Sequence, residues 1–175
     1  MFSKPRQIDS SSTLYESAVR LLARRAHSVH ELKQALQRRT DNDELIQSVL
    51  ALLKQNGLLD DARFAKQFAR QRTEIRRQGP FRIARDLRAR GVPDPAIEAA
   101  LAENAEQHDE AALVRQRLQR KLRALRGQLD EKKLASLYRS LLRAGFSADV
   151  VRREVKSLTS ADLPDPASSD TGSDS

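Results

Sequence analysis

The chain of 175 residues contains no cysteine and no tryptophan, one methionine and only seven aromatic residues, five Phe and two Tyr. Without cysteine there are no disulfides, zinc–thiolate sites or thiol nucleophiles. Strand-forming runs of Val, Ile, Thr or aromatics are missing as well, and Leu and Ala dominate an apolar set of 39% against 32% charged residues. That balance specifies helices rather than sheet. No apolar stretch approaches the roughly 20 residues needed to span a bilayer, and the N-terminal "MFSKPRQIDSSS" lacks the apolar core of a secretory signal. A cytoplasmic location is expected.

What the chain does have is positive charge. The net charge is +8 with a pI near 10.3, which points to a polyanion or an acidic protein surface as partner. It is unevenly spread: +1 over 1–12, +2 over 13–56, +2 over 57–107, +7 over 108–158 and −4 over 159–175. Arginine outnumbers lysine 24 to 8. Guanidinium forks grip phosphates and carboxylates in a bidentate manner, so the bias favours specific anionic contacts over general solubility.

Helix punctuation is frequent. Ser28 with Glu31, and Asp41 with Glu44, have the spacing of a capping box, in which the first side chain bonds the amide three residues on and the second reaches back. Pro80 and Pro95 suit first helical positions, with Asp94 as the cap before Pro95. Gly57, Gly91 and Gly145 read as helix terminators. Nine helices are expected, at 13–26, 29–39, 42–56, 61–78, 80–90, 95–106, 108–126, 131–144 and 148–158.

The nine fall into a threefold repeat. Leu32, Leu36, Ile46 and Leu50 align with Ile83, Leu87, Ile97 and Leu101 at an offset of 51, and then with Leu137, Leu141, Val151 and Val155 at a further 54. Gly91 and Gly145 coincide at the second offset. The expected fold is all-α, an elongated array of three tandem three-helix repeats at 13–56, 57–107 and 108–158. It is flanked by a flexible segment over 1–12 and a disordered acidic tail over 159–175. Each unit is too small to bury much surface alone, so neighbours should stack, and an elongated body suits an extended partner.

The adjacent carboxylates Asp60 and Asp61 open the fourth helix. A general acid/base pair would need a cleft that splits their pKa values, and a metal site would need further ligands. Neither is supplied at recognisable spacing, so Asp60 reads as an N-cap and Asp61 as a favourable first-turn charge. His27, His30 and His108 form no ligand set, and "HSVHEL" lacks the second histidine of a zinc-protease motif. No catalytic residue, metal or cofactor is expected.

At about 100° per residue, Phe64, Phe68 and Ile75 share an apolar stripe, while Arg63, Lys66, Arg70 and Arg77 fall on roughly the opposite face. Glu74 is the only acid between Asp61 and Asp86, so the i±4 partners that would neutralise this basic arc are mostly missing. Arg82 and Arg85 point away from Ile83, Ala84 and Leu87, with Arg88 and Arg90 flanking. Val114, Leu118, Leu122 and Leu125 make a core stripe on the seventh helix, with Arg117, Arg120, Lys121 and Arg123 around it. The few aromatics are mostly consumed by the core, which leaves little material for stacking single-stranded bases. No helix shows a clear base-reading set for duplex DNA.

Four segments, "AVRLLARRAHSVHEL" (18–32), "GLLDDARFAKQFARQR" (57–72), "GPFRIARDLRARGV" (79–92) and "LYRSLLRAGFSADVV" (137–151), together resemble the successive signatures of the RecX family, regulators of the bacterial recombinase RecA. The resemblance runs from about residue 14 to 158 and includes Asp60, Asp61, Arg63, Phe64, Gly79, Pro80, Arg82 and Ile83. It departs from the family pattern at Ala144, where arginine is often found before the glycine.

The resemblance implies tandem three-helix repeats and a negative regulator that acts by binding alone. Such a protein binds the RecA filament on single-stranded DNA in its groove and inhibits ATPase, strand-exchange and co-protease activities. The contact residues expected on this chain are Arg63, Lys66, Arg70, Arg77, Arg82, Arg85, Arg117, Arg120 and Arg123, facing RecA and the DNA backbone. The rivals are a basic helical DNA-binding protein acting independently of RecA and a module for some other acidic protein. The acidic tail could be inert or could compete for the basic surface.

Overall fold

The computed structural model describes residues 9–124 and 129–161. Among them are nine α-helices: α1 (Ser11–Arg24), α2 (Val29–Gln37), α3 (Asp43–Gln55), α4 (Asp61–Glu74), α5 (Pro80–Arg88), α6 (Asp94–Gln107), α7 (Glu110–Ala124), α8 (Glu131–Arg143) and α9 (Ala148–Ala161). The expected loose segment lies outside the described residues over 1–8, while Ser11 and Ser12 already belong to α1. Leu125, assigned to the core stripe of α7, and the tail over 162–175 lie outside them too.

Local sequence signals set most helix ends. Ser28 forms the full capping box: its Oγ accepts from the Glu31 amide at 3.1 Å, and the Glu31 carboxylate accepts from the Ser28 amide at 3.3 Å. Asp60 caps α4, accepting from the amides of Ala62 and Arg63. Gly57, Gly91 and Gly145 all adopt positive φ. In each case the amide after the glycine returns five residues, from Leu58 to Leu53, Val92 to Leu87 and Phe146 to Leu141, which is the left-handed helix stop that glycine adopts without a Cβ penalty.

Three local expectations are corrected. The Asp41–Glu44 box does not form; Asn42 is the cap of α3, accepting from the Leu45 amide at 3.0 Å. Asp94 is the first residue of α6 rather than its cap, and its carboxylate turns to Arg88 at 2.7 Å. Helix α4 stops at Glu74, four residues early. Arg77 there takes a positive φ of 51° and the Gln78 amide folds back to the Arg72 carbonyl, so Ile75 leaves the core stripe and stands 69% exposed.

The core is three separate clusters, one per unit. Leu14, Leu32, Leu36, Ile46 and Leu53 centre the first, Phe64, Phe68, Ile83, Leu87 and Ile97 the second, and Val114, Leu118, Leu141, Phe146 and Val151 the third. Of the twelve aligned aliphatic positions, eleven are buried and Leu101 is partly so.

The units join through the ends of their second helices. At the junction of units two and three, the amides of Gly79 and Phe81 at the start of α5 donate to the carbonyls of Ala144 (2.8 Å) and Gly145 (3.0 Å) at the end of α8. The unpaired donors of one helix terminus thereby meet the unpaired acceptors of another. Between units one and two, the Ser28 hydroxyl at the start of α2 donates to the Arg90 carbonyl just past α5 at 2.6 Å. Ser28 and Gly79 stand at equivalent positions at the offset of 51, and Arg90 and Ala144 at 54. The same joint is built twice.

It sets α8, α5 and α2 head to tail, a ridge whose helix lengths sum to roughly 45 Å at ~1.5 Å per helical residue. The position equivalent to Gly91 and Gly145 in unit one is Thr40. Among the described residues no other unit meets that end of the ridge, and Thr40 stands there in place of a glycine.

Candidate partner-binding surface

The basic residues singled out from the sequence do not gather on one face. Lys66 is paired with Glu103 of α6, Nζ to carboxylate 2.6 Å, and the Glu103 hydrogen bond raises its pKa. Arg70 is paired with Glu74 at 2.9 Å. Half of the α4 arc is therefore neutralised, Lys66 by a carboxylate that approaches through the packing of α4 on α6 and Arg70 by one on its own helix.

Arg63 donates to the Gly57 carbonyl at 2.7 Å and props the turn before α4. Arg77 lies in the turn beyond α4, and its carbonyl accepts from Arg117 at 3.0 Å. Arg117 is thus a half-buried strut between units two and three. Burial, and then the charge of Arg120, lower its pKa. Arg82 donates to the Arg143 carbonyl across the same joint at 3.3 Å and lies 3.9 Å from Asp86. Arg85 lies 4.0 Å from Asp86 and is the more exposed of the two. Arg120 and Arg123 are exposed on α7, with no carboxylate partner among the described residues.

A different basic cluster lies in a cleft along α4, on the side away from Lys66 and Arg70. Two adjoining cavities of about 500 and 350 Å³ share Ala26, Phe64 and Gln67 in their walls. The larger is lined by Arg25, Arg72 and Arg90 together with Phe68 and Gln71, and the smaller adds Leu58, His27 and Arg63.

Phe68 organises this cleft. The guanidinium of Arg72 lies 4.7 Å from its ring centroid and that of Arg90 5.1 Å, a cation–π arrangement that holds both groups flat against the floor. Glu31 balances Arg25, at 3.0 Å, and Arg90, so one carboxylate serves two guanidiniums, while Arg72 has no carboxylate partner among the described residues. Burial alone would raise the Glu31 carboxyl, but the Arg25 hydrogen bond, the Arg90 charge and the Ser28 amide together hold it below its ordinary value. The His27 ring is kept neutral chiefly by burial, its Nδ1 hydrogen-bonded to the Arg25 carbonyl at 2.9 Å.

The cleft therefore offers a fixed excess of guanidinium over carboxylate, on an aromatic floor, at the joint of units one and two. Arg25 and Arg72 were not picked out from the sequence. Arg72 carried one signal, its i+4 spacing from Phe68 on the same helix.

Comparison with known proteins places this architecture. Residues 15–53 match the sequence model of the RecX first three-helix domain, and residues 60–101 that of the RecX second three-helix domain. Regulatory protein RecX of Halorhodospira halophila is 42% identical over 144 residues, covering 82% of this chain and 86% of that protein.

The chain belongs to the RecX family. Regulatory protein RecX of Prosthecochloris aestuarii is 33% identical over 141 residues, covering 81% of this chain and 90% of its own. The fold agrees. The crystal structure of RecX from Lactobacillus salivarius superposes with a TM-score of 0.69 at 21% identity, over 85% of this chain and 96% of that one. A second RecX crystal structure gives 0.71 at 22% identity, over 84% and 71%. As a RecX protein the chain is a regulator built of helical units, and among its described residues no helix is long and apolar enough to cross a membrane.

Proposed function

We propose that this chain is a cytoplasmic negative regulator of the recombinase RecA, which lies in the groove of the RecA filament on single-stranded DNA and inhibits its ATPase, strand-exchange and co-protease activities. The observation that carries the reading is its membership of the RecX family. The head-to-tail ridge of α8, α5 and α2 supports it physically, because helices summing to roughly 45 Å spread the contact surface over three units, which suits an extended partner. Binding that favours a protomer arrangement poor in ATP turnover shifts the filament's population, and differential affinity is all that inhibition then requires.

The contacts we assign are Arg82 and Arg85 on α5, Arg120 and Arg123 on α7, and the cleft arginines. Arg77, engaged through its backbone carbonyl and not its guanidinium, stays with them, while Arg63, Lys66, Arg70 and Arg117 join only where the partner's carboxylates or phosphates displace their present internal partners. The test is RecA ATPase on single-stranded DNA titrated with the protein. Inhibition below one protein per RecA is expected; unchanged ATPase and filament length at saturating ratios would sink the proposal.

The cleft keeps a second reading in view, a DNA-binding protein that acts without RecA. Three guanidiniums around one cavity suit a phosphodiester strand as well as a carboxylate. A steep, linear fall of log affinity with log salt on bare oligonucleotide, without any effect on RecA, would favour it.

A further inference from the structure

Phe81 is 66% exposed, although the few aromatics of this chain are otherwise mostly buried or half-buried. It stands in the first turn of α5, directly at the joint of units two and three, with its amide bonded to the Gly145 carbonyl at 3.0 Å. At helical spacing it shares the outward face of α5 with Arg85 and Arg88, opposite the buried Ile83, Ala84 and Leu87. Across the joint, the last turn of α8 carries Leu142, 37% exposed, and the exposed Arg143. An exposed apolar group in the middle of a ridge, rimmed by arginines, has the make-up of a binding hot spot.

We propose that Phe81, with Leu142 across the joint, is the apolar anchor of the protein-binding surface, and that its partner is a protein presenting an apolar socket ringed by carboxylates. The proposal rests on the RecA reading above and names the place where the protein component of the filament is gripped. Charge complementarity selects the occupant. Arg82 and Arg85 share α5 with Phe81 and Arg143 lies across the joint; among the described residues Asp86 is the carboxylate paired with the first two, at 3.9 and 4.0 Å, and it is mostly covered. Nucleic acid fits this patch poorly, because an isolated Phe and Leu between helix ends provide no groove that tracks a backbone. The joint also fixes the anchor's place, because the start of α5 is held by the Gly79 and Phe81 amides on the end of α8.

The test uses the full chain and its F81S and F81L variants, read by inhibition of RecA ATPase on single-stranded DNA, binding to the bare oligonucleotide, and thermal melting. F81S should melt with the wild type, bind the oligonucleotide within twofold, and need more than tenfold more protein for half-inhibition. F81L should recover most of the inhibition. Inhibition by F81S within twofold of wild type overturns the anchor while leaving the RecA reading in place. Equal loss of oligonucleotide binding and inhibition overturns its assignment to a protein partner. A wild type without effect on RecA overturns the RecA reading, and the anchor with it.

Discussion

Gly145 sits so tightly against Arg82 that a Cβ placed on it would lie 2.3 Å from the Arg82 amide nitrogen. The equivalent Gly91 would place its Cβ 2.4 Å from the Cβ of His30. Two helix-ending glycines thus have a second task, admitting the start of the next unit's second helix, and the array depends on it.

Gly57 provides the comparison. It has a positive φ of 67° but nothing within 4 Å of its would-be Cβ. Gly57→Ala should cost about 1–2 kcal/mol, the strain of a left-handed L-residue. Gly145→Ala should cost about 2–4 kcal/mol, since overpacking against backbone is added. Only the second should increase the radius of gyration in solution scattering, because units two and three must part. Equal costs and unchanged scattering for both would show that the joint yields without consequence.

The Ser28 hydroxyl serves both units, accepting from the Glu31 amide and donating to the Arg90 carbonyl. Ser28→Ala removes a cap and a buried inter-unit hydrogen bond together. A loss of about 2–3 kcal/mol in urea unfolding is expected, against about 1 for an isolated cap. Asn42→Ala, at a cap that joins nothing across units, is the reference and should show the smaller value.

How far the sequence could be read follows the range of the interactions involved. Helices α2, α5 and α8, the Ser28 and Asp60 caps and the glycine stops were legible because each depends on residues within one turn of the chain. The repeat was legible because aliphatic positions keep their spacing in each unit. The charge pattern of α4 was not. Lys66 finds Glu103 only when α4 packs on α6, 37 residues away in sequence, and Ile75 left the core because the chain must turn early to bring Gly79 to Ala144. Phe81 drew no expectation of its own from the sequence, and only the fold shows it 66% exposed.

Glu31 gives the first joint a pH dependence. Its folded-state pKa is depressed, so the stability it contributes is present above its ordinary value of 4.5 and is lost as pH falls through the lower folded value. Glu31→Gln should therefore destabilise the protein at pH 7 and approach the wild type in stability as pH falls through the depressed folded value. His27, whose pKa is lowered chiefly by burial, adds a loss as pH drops below 6.5, and because the Glu31 charge works to raise that pKa, the loss is somewhat larger in the variant. A wild-type-minus-variant stability gap that stays constant from pH 7 to pH 3 would contradict the assignment of Glu31 as an ionised bridge between Arg25 and Arg90.

The cleft and the α4 arc make opposite demands on the same helix, and salt dependence separates them. Arg72 is held over Phe68 without a carboxylate, and Arg25 shares Glu31 with Arg90, so both can take a phosphate without breaking a private ion pair. Lys66 and Arg70 must each release a carboxylate first, and the released charge then repels the strand. If the cleft is where single-stranded nucleic acid is held, Arg25→Ala with Arg72→Ala should lower the slope of log affinity against log salt by about 1.4, at roughly 0.7 per lost phosphate contact. Lys66→Ala with Arg70→Ala should change it by less than about 0.5, and by freeing Glu103 and Glu74 could even weaken binding with no change of slope. Circular dichroism must show both pairs folded, which their exposure favours. A fall of equal size in both slopes would mean that the whole of α4 is covered by the strand. A fall confined to the Lys66 and Arg70 variant would put the strand on the outer arc and leave the cleft to a carboxylate partner.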